Sequence, residues 1–295
     1  HSEFIESERE KEVKYIRLLK GVFKCCVINE MEYRMNFFMR ALIELSYLIL
    51  GVVMFEVIYS NVNLIKGWSK NEMLLLVLMT NFLDSVITFL FNAGLSEIPL
   101  MINSGTMDFV IIKPVNKRFY LTFRKFELSQ IINIAINLIF SIYIIRNMQI
   151  DFSVGKLLVF VFLLILSIII MYNIYFFVMI LSFWTVKIDI GITLFYQLFH
   201  VGNKPADIFS NALKLVFTYV LPIFIAFNYP VKYLVNPAVA RDKELKELVM
   251  VLLTPEKSAC LVGKPGIGKT AIVEGLAYRM QLNDMPNALK GYSVY

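Results

Sequence analysis

The 295-residue chain has only three cysteines and two histidines, and this scarcity excludes several kinds of chemistry. Cys25, Cys26 and Cys260 have neither metal-site spacing nor the pattern of a disulfide framework, so they are expected to be reduced and structural. His1 and His200 have no ligand or nucleophile partner nearby in sequence, and neither a catalytic triad nor a metal-hydrolase site can be built on them. Charged residues are sparse at 18%, and the N-terminus lacks the short apolar core followed by small residues that marks a cleavable signal peptide. The net charge of +6 reads as membrane topology and attraction to anionic lipid, with nothing to suggest nucleic acid.

What the chain has instead is apolar residues in long blocks. They make up 58% of it, with a mean hydropathy of +0.66, beyond the range of a soluble domain. Phe37 to Tyr59 and Met73 to Leu95 are each long enough to cross a bilayer, since about 20 residues at 1.5 Å each span the hydrocarbon core. A third span is expected from Leu128 to Ile145 and a fourth from Leu157 to Val186, which is long enough to tilt or project beyond the membrane. Ile188 to Val201 is short, and Leu213 to Tyr229 is interrupted by Pro222; each reads as a span, a re-entrant hairpin or an interfacial helix. The fold class is therefore mainly α, a polytopic membrane domain of five to six segments.

Basic residues set the orientation. Lys11, Lys14, Arg17, Lys20, Lys24, Arg34 and Arg40 precede the first span, and Lys113, Lys117, Arg118, Arg124 and Lys125 lie between spans two and three. Both regions, and with them the N-terminus, belong in the cytosol, whereas the loops with Lys66 and Lys70 and with Arg146 and Lys156 belong outside. Residues 1–12 are expected to be a polar, disordered extension. From Val13 to Asn29 the basic residues cluster on one face and Ile16, Leu19, Val22, Phe23, Cys26 and Val27 on the other, which describes a helix lying in the membrane surface. The opening at His1 rather than methionine suggests a fragment or a read-through.

Inside the membrane, Asp84 is costly unless paired, protonated or facing water. Gln130, Asn133, Asn137 and Ser141 form one polar stripe on the third span at spacings of three and four. Asp84 and this stripe either line a transport path or serve as interhelical hydrogen-bonding glue, the latter being preferred. Glu44 and Glu56 are out of helical phase and form no pair. In the loop between spans two and three, Ile98, Leu100, Met101 and Ile102 precede Gly105 as a short apolar surface, Asp108 is placed to cap or pair, and Lys113-Pro114 ends the element. Such a surface suits docking into a partner's groove, or the membrane surface if there is no partner.

Near the C-terminus, Gly263, Lys264, Pro265, Gly266, Ile267, Gly268, Lys269 and Thr270 fit the phosphate-binding pattern G-x-x-x-x-G-K-[ST]. An apolar strand candidate (Ala259 to Val262) precedes it and a helix candidate (Ala271 to Met280) follows. Backbone N–H groups there would cradle phosphates, with Lys269 reaching the β- and γ-phosphates and the Thr270 hydroxyl holding Mg²⁺ of Mg-ATP. Hydrolysis also needs an acidic site for metal and water, and no later strand carries one, so ATP turnover is not expected.

Two resemblances follow from these motifs. Asn236-Pro237, Arg241-Asp-Lys-Glu244, the phosphate loop, Thr270 to Ala277, Asp284-Met-Pro286 and Ala288-Leu-Lys290 resemble the opening of the first nucleotide-binding domain of Clp-type AAA+ unfoldases. This implies an incomplete α/β P-loop fragment over residues 236–295, departing from the family at Ala240, where glycine is usual. Glu32-Tyr-Arg34, Gly67-Trp68-Ser69, Ile102 to Pro114, Pro205 and the segment from Leu221-Pro222 to Tyr229-Pro230 resemble permease subunits of type-2 ABC exporters, over residues 13–235. That resemblance implies a subunit that dimerises with itself or a second permease and is driven by a separate cytosolic ABC ATPase. The loop carrying Ile102, Gly105, Asp108, Lys113 and Pro114 would act as coupling helix. The family's last span, expected after Val235, is replaced by the Clp-like segment. Val235/Asn236 therefore reads as a join between two coding sequences, an assembly artefact or a gene fusion.

Overall fold

The computed structural model describes residues 2–32, 34–62, 64–148, 154–184, 188–235, 242–254, 259–262, 269–281 and 289. Among them there is no strand, and four helical runs are long and apolar enough to cross a membrane.

Helix α1 (Ser2–Glu32) is followed by α2 (Arg34–Asn61), and a tight turn leads into α3 (Lys70–Ile87). The turn closes through reciprocal backbone hydrogen bonds between Ile65 and Trp68, with Lys66 (φ 50°) and Gly67 (φ 81°) both left-handed. Glycine at the second position removes half of that conformational cost. Helix α3 continues through a π-helical turn (Thr88–Asn92), α4 (Ala93–Leu95) and α5 (Ile98–Asn103). The short helices α6 (Asp108–Ile111) and α7 (Lys117–Phe123) lead to α8 (Gln130–Asn147) and α9 (Val154–Ile180). Helix α10 (Ile188–Gly202) comes next. Helix α11 (Asn211–Leu215), with its π extension to Val220, then meets α12 (Ile223–Val235) at a bend of 96°. Leu221-Pro222 sits at that bend, where proline removes a backbone donor. Leu213 to Tyr229 is therefore not one straight span; it is a broken span or a re-entrant pair.

The bundle has two ends. At the Trp68 end, Tyr59, Trp68, Met73, Phe160, Val231, Leu234 and Val235 share one core; at the Gly105 end, Leu95, Ile98, Val110, Leu121, Met179 and Phe227 belong to another. Helix α12 is nearly enclosed, with Ile223, Phe224, Ala226, Val231 and Leu234 at 0% exposure, whereas α2 presents Phe38, Leu42, Tyr47 and Leu50 outward. Outward apolar side chains on such helices face lipid tails, so close packing and buried polar groups must hold the helices together.

Two expectations change. Helix α1 starts at Ser2, so regular structure extends back through residues expected to be disordered. Residues 259–262 form no strand; an isolated segment has no neighbouring strand to satisfy its backbone. Helix α14 (Lys269–Gln281) does form, and it packs through Ile272 and Leu276 on Leu245 and Leu248 of α13 (Asp242–Leu253).

Candidate functional site

The loop singled out between spans two and three is a compact cap on the Gly105 end. Gly105 takes φ +70°, and a Cβ there would meet open space, so its role is conformational. The turn it makes brings Met107 N–H onto the Met101 carbonyl at 3.1 Å. Two short helices, α5 and α6, thereby stand side by side. The expected docking surface is partly different: Ile98 is 1% exposed and belongs to the core, because Pro99 and Ile98 continue the buried face of α3. The apolar side chains that point out are Leu100, Phe109, Ile111 and Ile112, the last at 77% exposure. Ile102 is half-buried. Asp108 opens α6 with its side chain exposed, neither capping the helix nor making an ion pair among the described residues.

The cap is braced from behind. Lys113 Nζ donates to Tyr120 Oη at 2.5 Å and lies over its ring, while the Pro114 carbonyl accepts from Lys14 Nζ at 2.9 Å. Asn116 N–H donates to Tyr15 Oη at 3.2 Å, and the Asn116 side chain caps α7 by accepting from Phe119 N–H at 3.2 Å. Glu97 is ion-paired with Arg124 and, at 3.0 Å, with Lys125, and Arg40 pairs with Glu127. Phe126 N–H donates to the buried thiol of Cys26 at 3.3 Å, the structural role expected of that residue. The amphipathic helix α1, expected to lie in the membrane surface, is thus also a strut against the loop.

The membrane polar stripe lies where helices meet. Gln130, Asn133, Asn137 and Ser141 are the buried residues of α8, and α3 is that helix's most extensive neighbour. Asn133 Nδ2 donates to Gln130 Oε1 at 2.9 Å, and Asn137 Nδ2 to the Asn133 carbonyl at 2.8 Å. Asn137 Oδ1 and Ser141 Oγ have no hydrogen-bond partner among the described residues. The apolar side chains Leu138, Ile139, Phe140 and Ile142 point outward. Asp84 is only partly buried, and Glu44 of α2 lies close enough to act on it electrostatically. Beyond it, in the π turn, Asn92 accepts from Tyr175 Oη and donates to Tyr196 Oη at 3.3 Å, tying α3 to α9 and α10. Glu56 pairs with Lys70 at 2.6 Å.

A second polar cluster closes the Trp68 end, and sequence reading did not find it. Asp207 accepts from Trp68 Nε1 at 3.1 Å, Lys214 Nζ at 2.6 Å and Lys232 Nζ at 2.5 Å. Burial pushes the Asp207 carboxyl up, but Lys232 and the three donated hydrogen bonds outweigh it and hold the group at about 2. Tyr59 Oη donates to the Trp68 carbonyl at 3.0 Å, and Ser69 N–H to Glu72 Oε2 at 2.7 Å. Close by, Asn228, 1% exposed, gathers the loop after α10: it accepts from Ala206 N–H and donates to the carbonyls of Gly202 and Lys204. Asp207 and Asn228 meet most of their partners across 22 to 139 residues, Lys214 at seven being the exception, so the cluster leaves no local signature; Trp68, Pro205 and the segment holding Asn228 were visible only as motif residues.

Of the phosphate loop, Gly263, Lys264, Pro265, Gly266, Ile267 and Gly268 lie outside the described residues, while Lys269 and Thr270 open α14. Among the described residues no cluster of His, Cys, Asp and Glu could hold a metal ion.

A family model described as ABC-2 family transporter protein matches residues 45–254, well over half of the chain and past Val235. Separately, chaperone protein ClpB of Corynebacterium diphtheriae is 48% identical over 58 residues, 19% of this chain and 7% of that protein. ClpB of Meiothermus ruber is 46% identical over 57 residues (19% and 7%), and ClpB of Chlamydia caviae 46% over 61 residues (20% and 7%). The chain thus spans about 7% of the length of these curated relatives. No solved structure matches it. With four membrane-capable helical runs inside or overlapping the matched region, the chain is a multi-pass membrane protein that belongs to the ABC-2 family of transporter proteins.

Proposed function

We propose that this chain is the permease subunit of an ABC exporter, pairing with a second permease and driven by a separate cytosolic ATPase that docks on α5 and α6. The observation that carries this reading is the outward row Leu100, Phe109, Ile111 and Ile112, on a loop that is not itself a span and is braced from behind by Lys14, Tyr15 and Arg124. Exposed apolar side chains on a rigid mount suit a partner's groove. The basic residues of α1 and of the loop put this face in the cytosol. The stripe Gln130, Asn133, Asn137 and Ser141 supports the α3–α8 seam, and Asp84 is the better candidate for the transport path. The test is disulfide cross-linking in membranes, with Cys25→Ser as background: cysteines at Phe109 or Ile112 should cross-link to cysteines on a candidate ABC ATPase. If both remain equally reactive to a bulky thiol reagent with and without the ATPase, the docking assignment is wrong.

A second reading concerns residues 236–295, on account of their likeness to ClpB. We assign them to a P-loop fragment that holds the phosphates of Mg-ATP weakly through Lys269 and Thr270 without hydrolysing it, joined to the permease near Val235. Purified protein should show no turnover above that of Lys269→Ala; a clear Lys269-dependent turnover would overturn this.

A further inference from the structure

Where α1 crosses α7 and α9, the Gly105 end carries an open cleft of about 760 Å³ that the docking role does not use. Its walls are aromatic: Tyr15 from α1, Phe119 and Phe123 from α7, and Tyr172 from α9. Tyr15 and Phe119 meet edge to face at 4.7 Å, and Phe119 and Phe123 lie 5.1 Å apart. Arg118 stands in this cleft. Its Nε donates to Tyr172 Oη at 3.0 Å and its Nη2 to Asn173 Oδ1 at 2.7 Å, with the guanidinium carbon about 5 Å from the ring centres of Tyr172 and Phe176. All of these partners are neutral, and no carboxylate lies within ion-pair distance of Arg118 among the described residues. Glu97 is paired with Arg124 and Lys125, and Glu127 with Arg40. Lys14, Arg17 and Lys117, next in sequence to the lining residues Tyr15, Ile16 and Arg118, are exposed and carry further positive charge.

The depth of the cleft favours one kind of anion. At 1.5 Å per residue, Tyr172 lies roughly 27 Å along α9 from Val154, close to the thickness of the hydrocarbon core at about 30 Å. That places Arg118, hydrogen-bonded to Tyr172, at headgroup level in the leaflet on the Gly105 side. A guanidinium fixed flat by two hydrogen bonds and two aromatic faces keeps Nη1 for an oxyanion, a geometry suited to a phosphodiester.

We propose that this cleft is a binding site for an anionic phospholipid of that leaflet, its phosphate on Arg118 and the upper part of an acyl chain against Phe119, Phe123 and Tyr172. Tyr15 borders the cleft and also holds Asn116 N–H, so a seated lipid would press on the strut that fixes the loop.

The experiment uses the full chain in nanodiscs of phosphatidylcholine with a minor fraction of phosphatidylglycerol, followed by native mass spectrometry of lipids retained on release. The wild type should keep phosphatidylglycerol over phosphatidylcholine. Arg118→Gln should lower that preference roughly tenfold, the worth of one charge-assisted contact. Arg118→Lys should restore only part of it, and Lys20→Gln, which removes an exposed α1 charge of the same sign, should leave it unchanged. Thermal melting in pure phosphatidylcholine checks that each variant folds. Equal retention by wild type and Arg118→Gln overturns the proposal, as does an equal loss in Lys20→Gln, which would reveal diffuse attraction only. Displacement of the lipid by inorganic phosphate alone would also overturn it, showing a simple anion site.

Discussion

The ammonium of Lys14 donates a hydrogen bond to the carbonyl oxygen of Pro114, 100 residues further along the chain. One residue on, Tyr15 Oη accepts from Asn116 N–H. Two consecutive side chains of α1 thus hold the middle and the α7 end of the short link between α6 and α7. A loop that transmits force has to be stiff relative to its mount, and this link has no regular structure of its own. Tyr15→Phe removes the acceptor while keeping the ring against Phe119. Backbone amides from residues 115 to 119 should then exchange about fivefold faster, in line with about 1 kcal/mol for one such hydrogen bond. Exchange there that is unchanged in both Tyr15→Phe and Lys14→Ala would show that α1 does not brace the loop.

At the opposite end, Asp207 gathers Trp68, Lys214 and Lys232. Its folded-state pKa of about 2 lies below the ordinary carboxylate value, so its contribution to stability is fully present above pH 4 and disappears as pH falls through about 2. The size of the shift corresponds to about 2 kcal/mol at neutral pH. Asp207→Asn should therefore melt below the wild type at pH 7, and the two melting curves should draw together as pH approaches 2. A difference that stays constant down to that pH would mean that ion pairing at Asp207 is not what stabilises this end.

Two glycines mark close approaches, Gly94 to backbone and Gly202 to a side chain. A Cβ on Gly94 would stand 2.5 Å from the Leu121 carbonyl oxygen and 2.7 Å from that of Thr122, and backbone cannot give way as a flexible side chain can. On Gly202 it would stand 2.1 Å from the Phe227 ring. Gly94→Ala should cost about 1–3 kcal/mol of stability, or prevent folding, by forcing α4 away from α7. Gly202→Ala should be equally harmful alone and partly recovered in Gly202→Ala/Phe227→Leu, since the obstacle there is a side chain that can be trimmed. Thermal melting of the three variants decides this; failure of the double variant to recover would place the cost elsewhere.

The spans and the basic face of α1 were legible because each depends on composition within one stretch of chain. Phe37 to Tyr59 and Leu128 to Ile145 fall inside α2 and close to α8 for that reason. Gly105 was legible because a turn of left-handed backbone selects glycine. Ile98 was misplaced onto the docking surface because an apolar residue beside a loop looks the same whether it points in or out. Its burial depends on Val110 and Leu121, which belong to later helices. The buried polar stripe of α8 gave its periodicity but not its partner. Trp68 and the segment holding Asn228 stood out as motifs, but the pairing of the Asp207 cluster did not, since it arises only when α10 and α12 fold beside α3.

The sidedness of the last part of the chain follows from α12. Its end at Val235 shares a core with Trp68 and Met73, and Lys232 lies over the Trp68 ring, so the helix finishes at the end opposite to Gly105 and α1. Helix α13 offers no return: its 12 residues cover about 18 Å against a hydrocarbon core of about 30 Å, and its first turns are charged. Cys260 should consequently lie on the opposite side of the membrane from Cys25, and both thiols are exposed. With the basic α1 face in the cytosol, a membrane-impermeant maleimide added to intact cells should modify Cys260 and spare Cys25 until the membrane is permeabilised. Reaction at Cys25 and not at Cys260 would reverse the orientation while keeping the fold. Reaction at both, or at neither, would show that the chain crosses once more after α12. In the expected outcome the Lys269 segment is held away from cytosolic ATP.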